Sequence, residues 1–163
     1  MQGKLKYILI SALLMMIALF FYNKYRKAPG IEFSKLGLTD INGNAVVWNE
    51  YKGKKIIVSF GASWCVNCIE ELELLKSMKS NSLSDVEIII ISDETLEKVK
   101  FFKERNDYPF IFLKMNNPFN SIGINAIPTT YIINTKLEVK DETVGFIDWA
   151  DASTVTHLKK LME

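Results

Sequence analysis

The 163-residue chain has few of the residues that cross-link small domains or bind metals in them: two cysteines, one histidine and four prolines. Two cysteines can form only one disulfide, so the fold must depend on a hydrophobic core rather than on a set of bridges. An excess of charge of one sign is also lacking, because 20 basic and 19 acidic residues leave a net charge of +1. Without a basic stripe, nucleic acid is not an expected partner.

The N-terminal segment contains the longest apolar stretch, 16 uncharged residues at positions 7–22. As a helix this stretch would be about 24 Å long, against a hydrocarbon core of about 30 Å, but its flanking lysines can reach the headgroups. Its aromatic end suits a membrane interface, and no small-residue cleavage motif follows. We therefore predict an uncleaved transmembrane helix within an anchor over 1–27, contacting lipid through residues 5–22. A cleaved signal peptide is the alternative, and the evenly divided basic residues leave the orientation undecided.

The rest of the chain predicts a short linker over 28–32 and one globular domain over 33–163. We predict strands at 33–38 and 45–48, joined by a turn at Asn42-Gly43 into an N-terminal β-hairpin. Further strands are predicted at 55–60, 86–92, 129–133 and 137–144, and helices at 65–79, 96–105 (with capping groups from Asp93, Glu94 and Thr95) and 148–162. Residues 108–115 read either as a short strand or as irregular chain. The alternation predicts an α/β fold: a central mixed sheet with helices on both faces.

The two cysteines occur as Cys-Val-Asn-Cys between a predicted buried strand and a predicted helix. Unpaired N–H groups and the positive end of the helix dipole stabilise an anion there. Such sites lower a cysteine pKa from about 8.5 to roughly 3.5–7.5. Because one helical turn brings Cys65 and Cys68 within disulfide distance, we predict Cys65 as the attacking thiolate and Cys68 as the sulfur that closes the disulfide.

Half of a zinc site is the alternative interpretation of the cysteine pair. Tetrahedral zinc needs two further ligands, and the one remaining soft ligand is His157, in a predicted C-terminal helix with no partner at a ligand spacing. A redox role is therefore favoured, and no metal is expected.

From residue 31 to residue 163 the chain resembles the thioredoxin superfamily, and more closely its membrane-tethered TlpA/ResA-like thiol–disulfide oxidoreductases. The resemblance rests on LTDING at 38–43, YKGK at 51–54, SFGASWCVNC at 59–68 followed by Glu71, and IPTTY at 127–131. The tryptophan before the cysteines and the later Ile-Pro-Thr make the combination specific. It implies a thioredoxin-like fold with a redox-active disulfide.

The resemblance also implies a substrate groove around the cysteines. Pro128 would follow a cis peptide bond and face the disulfide, leaving backbone groups of Ile127 free to pair with a substrate segment as an added strand. Gly145 would let substrate approach because it has no side chain. Trp64 would form an aromatic wall, with plain core packing as the alternative.

Three features distinguish this chain from thioredoxin itself. Ser59 stands where thioredoxin has a buried acid. The tethered branch generally lacks that acid as well. Glu71 matches an acid common in that branch and would accept a proton from Cys68 or tune its pKa; the alternative is a solvated surface carboxylate. The Val66-Asn67 pair offers no cation to stabilise the Cys65 thiolate further, so a strongly oxidising protein is not expected.

The predicted function is a membrane-anchored thiol–disulfide oxidoreductase that reduces protein disulfides on the non-cytoplasmic side. The resemblance implies substrates such as apocytochromes c, a membrane electron donor that re-reduces the cysteines, and no metal or organic cofactor. Two alternatives stay open: an oxidase or isomerase of the same fold, and a tethered binding module without redox turnover. A peroxidase is disfavoured because the chain contains no Thr-x-x-Cys sequence.

Overall fold

The structure, a computed structural model, describes residues 2–25 and 28–163. The strands are β1 (Leu38–Asp40), β2 (Lys55–Phe60), β3 (Val86–Ser92), β4 (Ile111–Met115), β5 (Thr129–Ile133) and β6 (Val139–Val144). The helices are α1 (Gln2–Tyr25), α2 (Val66–Lys79), α3 (Leu96–Asn106) and α4 (Ala152–Leu161).

The strands form one mixed sheet in the order β1-β4-β3-β2-β5-β6. The pairs β2–β3 and β3–β4 are parallel, whereas β1–β4, β2–β5 and β5–β6 are antiparallel. The two central strands, β2 and β3, are buried along nearly their whole length, as their β-branched sequences require. The mixed α/β sheet is therefore confirmed, and the ambiguous segment at 108–115 contains β4.

The helices α2, α3 and α4 all pack against one face of the sheet. Their buried residues share a single hydrophobic cluster: Leu72, Leu75, Val99, Val155 and Leu158. The opposite face is covered by short 3₁₀ turns that contribute Phe33, Trp48 and Phe119. The prediction of helices on both faces is wrong for the α-helices of this domain. Because β2, β3 and β4 follow one another across the sheet, right-handed crossovers place α2 and α3 on the same side.

The predicted N-terminal hairpin is only partly formed. Its turn is present, with Gly43 at a φ of +87° and its N–H donating to the carbonyl of Asp40. However, the return segment is limited to an isolated bridge between Thr39 and Ala45. Residues 33–35 and 48–51 are 3₁₀ turns rather than strand. Instead, β1 pairs with β4 at the far edge of the sheet, a contact between segments distant in the sequence.

The N-terminal segment is a continuous helix, α1, whose side chains from residue 6 to residue 20 are exposed. Among the residues that the structure describes, no helix is both long enough and apolar enough to cross a membrane. The predicted transmembrane helix is therefore not found among those residues. The end of the predicted anchor, 26–27, lies outside the described residues. Part of the predicted linker packs on the domain: Ala28 is buried, and the hydroxyl of Tyr131 donates to the carbonyl of Pro29 at 2.7 Å.

Candidate active site

The two cysteines form a disulfide at the N-terminus of α2, with their Cα atoms 5.2 Å apart. Cys65 is the N-cap residue, and its Sγ accepts the backbone N–H of Cys68 at 3.2 Å. The carbonyl of Cys65 also accepts the N–H of Ile69 and so begins the helix. The predicted strand–turn–helix placement of the pair is therefore confirmed.

The disulfide is buried, but the residues beside it are not. Cys65 and Cys68 are 7% and 4% exposed, whereas Trp64 and Val66 are 70% and 75% exposed. Core packing of Trp64 is thus excluded, and its role as a groove wall stays a prediction. The turn before the pair comes very close to it, because a Cβ at Gly61 would lie 3.3 Å from Cys68 Sγ.

The loop before β5 lies directly against Cys65. The peptide bond between Ile127 and Pro128 is cis, as the resemblance implied. The carbonyl oxygen of Ile127 is 3.9 Å from Cys65 Sγ, and Ile127 packs against the small buried cluster of Ala62, Cys65 and Cys68. One surface groove is lined by Ile127 together with Trp64. The N–H of Gly145 donates to the carbonyl of Pro128 at 2.8 Å, and the space beside the Gly145 Cα is open.

Glu71 is a buried carboxyl on α2, one turn beyond Cys68. It is 1% exposed, so the alternative of a solvated surface carboxylate is excluded. Its Oε1 accepts the hydroxyl of Thr130 at 3.1 Å, and its Oε2 accepts the N–H of Ile147 at 3.2 Å. Burial raises the pKa of Glu71 to about 7, opposed by the Ile147 N–H, the Trp149 indole and the Thr130 hydroxyl. The Trp149 Nε1 is buried, and among the described residues no group makes a well-formed hydrogen bond with it.

A second carboxylate, Glu94, holds the residue that precedes Trp64. Its two oxygens accept the N–H of Ser63 at 2.6 Å and the hydroxyl of Ser63 at 2.9 Å. Asp93 accepts the N–H of Phe119 at 3.0 Å. Of the three predicted capping residues, Thr95 does occupy the N-cap position of α3, but its side chain makes no capping hydrogen bond. The prediction is wrong for Asp93 and Glu94, whose carboxylates bind Phe119 and Ser63 instead. The sequence carried no signal of these contacts, which join segments about 30 residues apart.

The zinc alternative is not supported by the arrangement of the pair. The two sulfurs are bonded to each other, and within residues 2–25 and 28–163 no three side chains of the metal-binding types cluster. His157 lies exposed on α4.

The fold and the site together define a thioredoxin-like protein with a redox-active cysteine pair. Residues 26–142 match the AhpC/TSA family, and the chain belongs to this family. It is 27% identical over 130 residues to the thiol–disulfide oxidoreductase ResA of Geobacillus kaustophilus, covering 77% of this chain and 75% of that protein. It is 25% identical over 134 residues to the thioredoxin-like protein YneN of Bacillus subtilis, covering 76% and 79%. Among solved structures, a thiol:disulfide interchange protein of the thioredoxin family from Chlorobium tepidum superposes with a TM-score of 0.63 at 26% identity, covering 85% and 98%.

Proposed function

We propose that this chain is a thiol–disulfide oxidoreductase that reduces disulfides in other proteins through Cys65 and Cys68. The observation that carries the proposal is a disulfide at a helix N-terminus, in which Cys65 lies beside Ile127, a residue that lines an open groove, and Cys68 borders a separate small cavity. In this proposal Cys65 attacks the substrate and Cys68 closes the disulfide. It agrees with the thiol–disulfide oxidoreductase activity for which the ResA relative is named, and that match covers about three quarters of each chain.

The reaction begins with the chain in its dithiol form. The Cys65 thiolate attacks one sulfur of the substrate disulfide, so that a Cys65–substrate bond forms and the other substrate sulfur leaves as a thiolate. Cys68 then loses its proton and attacks Cys65 Sγ, which releases the second substrate thiolate. Two electrons pass from the cysteine pair to the substrate, and the chain is left in the disulfide form seen here.

The groove beside Cys65 suits an extended polypeptide. No described residue pairs with the N–H of Ile127, and its carbonyl faces Cys65. A substrate segment can pair with these groups as an added strand, while exposed Trp64 supplies apolar contact and Gly145 leaves room on the other side. The substrates are therefore proteins or peptides in extended conformation around a disulfide.

Glu71 is the group that would accept the proton of Cys68. It lies on the same side of α2 as Cys68, and both are buried. A carboxyl with a pKa of about 7 is closer to the ordinary thiol value of about 8.5 than an exposed carboxyl is, which favours proton transfer near neutral pH.

We also propose that the domain acts outside the cytoplasm, at a membrane surface. Support comes from α1, whose exposed side chains are apolar on every side of the helix, a pattern that favours burial in lipid or in another protein. A membrane donor would then re-reduce the pair, and lipid would contact residues 5–22. Apocytochromes c, which need reduced cysteines for haem attachment, are the substrates to test first.

The proposal is tested by trapping the intermediate. Full-length chain carrying Cys68→Ala is expressed in its own cell envelope, and the proteins that stay disulfide-linked to Cys65 are isolated. We expect mixed disulfides that disappear on reduction and that the matched Cys65→Ala variant does not form. If neither variant accumulates partners, and Cys65→Ser retains the cellular phenotype, the chain is a binding module and the exchange mechanism is wrong.

A further inference from the structure

Cys68 borders a small cavity that Ser59 also lines. The cavity has a volume of about 10 Å³, which is close to the space that one water molecule needs. Its polar lining residues are Ser59, Ser63, Cys68, Ser92 and Glu94, and most of its other lining residues are apolar. A proton that leaves Cys68 into this cavity therefore has few polar groups to which it can pass.

A line of buried hydroxyl groups leads from this cavity to Glu71. Ser59 borders the cavity, and its Oγ is 3.4 Å from Thr130 Oγ1, which is 3.1 Å from Glu71 Oε1. All three side chains are at most 4% exposed. When Glu71 is ionised it can only accept hydrogen bonds, so Thr130 then donates its single proton to Glu71 and accepts one from Ser59. The line is thus oriented to deliver a proton to Glu71.

We infer that Ser59 and Thr130 relay the proton of Cys68 to Glu71 during release of the substrate. This inference rests on the proposed function, because the relay acts on the step in which Cys68 attacks the Cys65–substrate disulfide. The Cys68 thiol gives its proton to Ser59, directly or through one water in the cavity. Ser59 passes a proton to Thr130 and Thr130 passes one to Glu71, so that each hydroxyl ends with one proton. The Cys68 thiolate then forms its bond to Cys65 as the substrate sulfur leaves with the electron pair of the broken bond.

Glu94 is the competing acceptor, because it also borders the cavity. Its oxygens already accept two hydrogen bonds from Ser63 and lie 3.4 Å from the Ser92 hydroxyl. These contacts hold it to the active-site turn. The titratable groups that line the cavity are therefore Cys68 and Glu94, with Glu71 at the end of the hydroxyl line. Of the described residues, those that shift the pKa of Glu71 include no charged side chain.

The experiment follows the two steps of exchange separately with the aromatic disulfide DTNB. The full-length dithiol protein, in mild detergent, is mixed in a stopped-flow instrument with DTNB below the protein concentration. Attack by Cys65 releases the first coloured thiolate, and attack by Cys68 on the mixed disulfide releases the second. Ser59→Ala, Thr130→Val and Thr130→Ser are compared with Ser92→Ala, which removes a hydroxyl from the same cavity but not from the line to Glu71.

We expect Ser59→Ala and Thr130→Val to leave the first release unchanged and to slow the second by about tenfold or more, as loss of positioned proton transfer does. Thr130→Ser should restore the rate, and Ser92→Ala should match the wild type. Ser59 is not among the groups that shift the pKa of Glu71, so its removal should lower the second rate without moving the midpoint of the pH profile. Thr130→Val should raise that midpoint, because the Thr130 hydroxyl lowers the pKa of Glu71.

The relay is wrong if the second release of Ser59→Ala stays within about twofold of wild type from pH 5 to pH 9, or if Ser92→Ala slows it equally. Ser59→Ala decides the question alone if Thr130→Val fails to fold. A wild-type protein with no first release would overturn the exchange mechanism itself, and the relay with it. A normal first release with an unaffected second one would overturn the relay alone.

Discussion

Replacing Glu71 with glutamine should remove most of the pH dependence of stability that this carboxyl imposes. Its pKa is about 7 in the fold against an ordinary value of 4.5, and each pKa unit corresponds to about 1.4 kcal/mol. Because the pKa of Glu71 is higher in the folded state than in the unfolded state, protonation of this carboxyl stabilises the fold. That stabilisation is complete below pH 4.5 and is lost as the pH rises to about 7. The unfolding free energy of the wild type should therefore fall by about 3 kcal/mol across that pH interval, relative to that of Glu71→Gln.

The assay is urea unfolding of the oxidised domain, residues 28–163, at closely spaced pH values from 4 to 8. The quantity to follow is the difference in unfolding free energy between wild type and Glu71→Gln, since other titrating groups cancel in it. Glu70→Gln is the matched control, because Glu70 is the exposed neighbour on the same helix. Parallel curves for wild type and Glu71→Gln would refute the reasoning that burial controls this carboxyl.

Three further substitutions test the groove and the packing around it. Trp64→Ala should change unfolding free energy by less than about 0.5 kcal/mol, because the side chain is 70% exposed, yet should raise KM for a peptide disulfide; an unchanged KM would remove Trp64 from the groove. Gly145→Ala should cost about 1–3 kcal/mol in urea unfolding, because φ is +100° there, whereas a neutral effect would contradict that conformation. Tyr131→Phe should cost about 1 kcal/mol through loss of the hydrogen bond to Pro29, and an unchanged urea midpoint would mean that this bond is not formed in solution.

The central strands and the position of the cysteines could be predicted because their signals are local. The β-branched run that forms β3 is buried on both faces and was predicted with its observed bounds. Burial of Glu71 could also have been predicted, since it lies on one helical face with Cys68, Leu72 and Leu75. That spacing alone argues against Glu71 as a solvated surface carboxylate.

The remaining features depend on contacts between distant segments, which leave no periodic pattern. The contacts of Thr130 with Glu71 and with Ser59 span 59 and 71 residues. The pairing of β1 with β4 likewise lies beyond the local signal at Asn42-Gly43, which predicted only the hairpin turn and its return segment. In both cases a tertiary contact decided the outcome, and local propensity alone could not show it.

The most direct test of the account is a redox titration of the full-length protein against glutathione and dithiothreitol buffers. The account predicts one two-electron transition of Cys65 and Cys68, with a midpoint nearer the roughly −270 mV of reducing relatives than the roughly −120 mV of strong oxidants. A midpoint near −120 mV would contradict the reductant assignment. The absence of any two-electron transition would contradict the exchange chemistry itself.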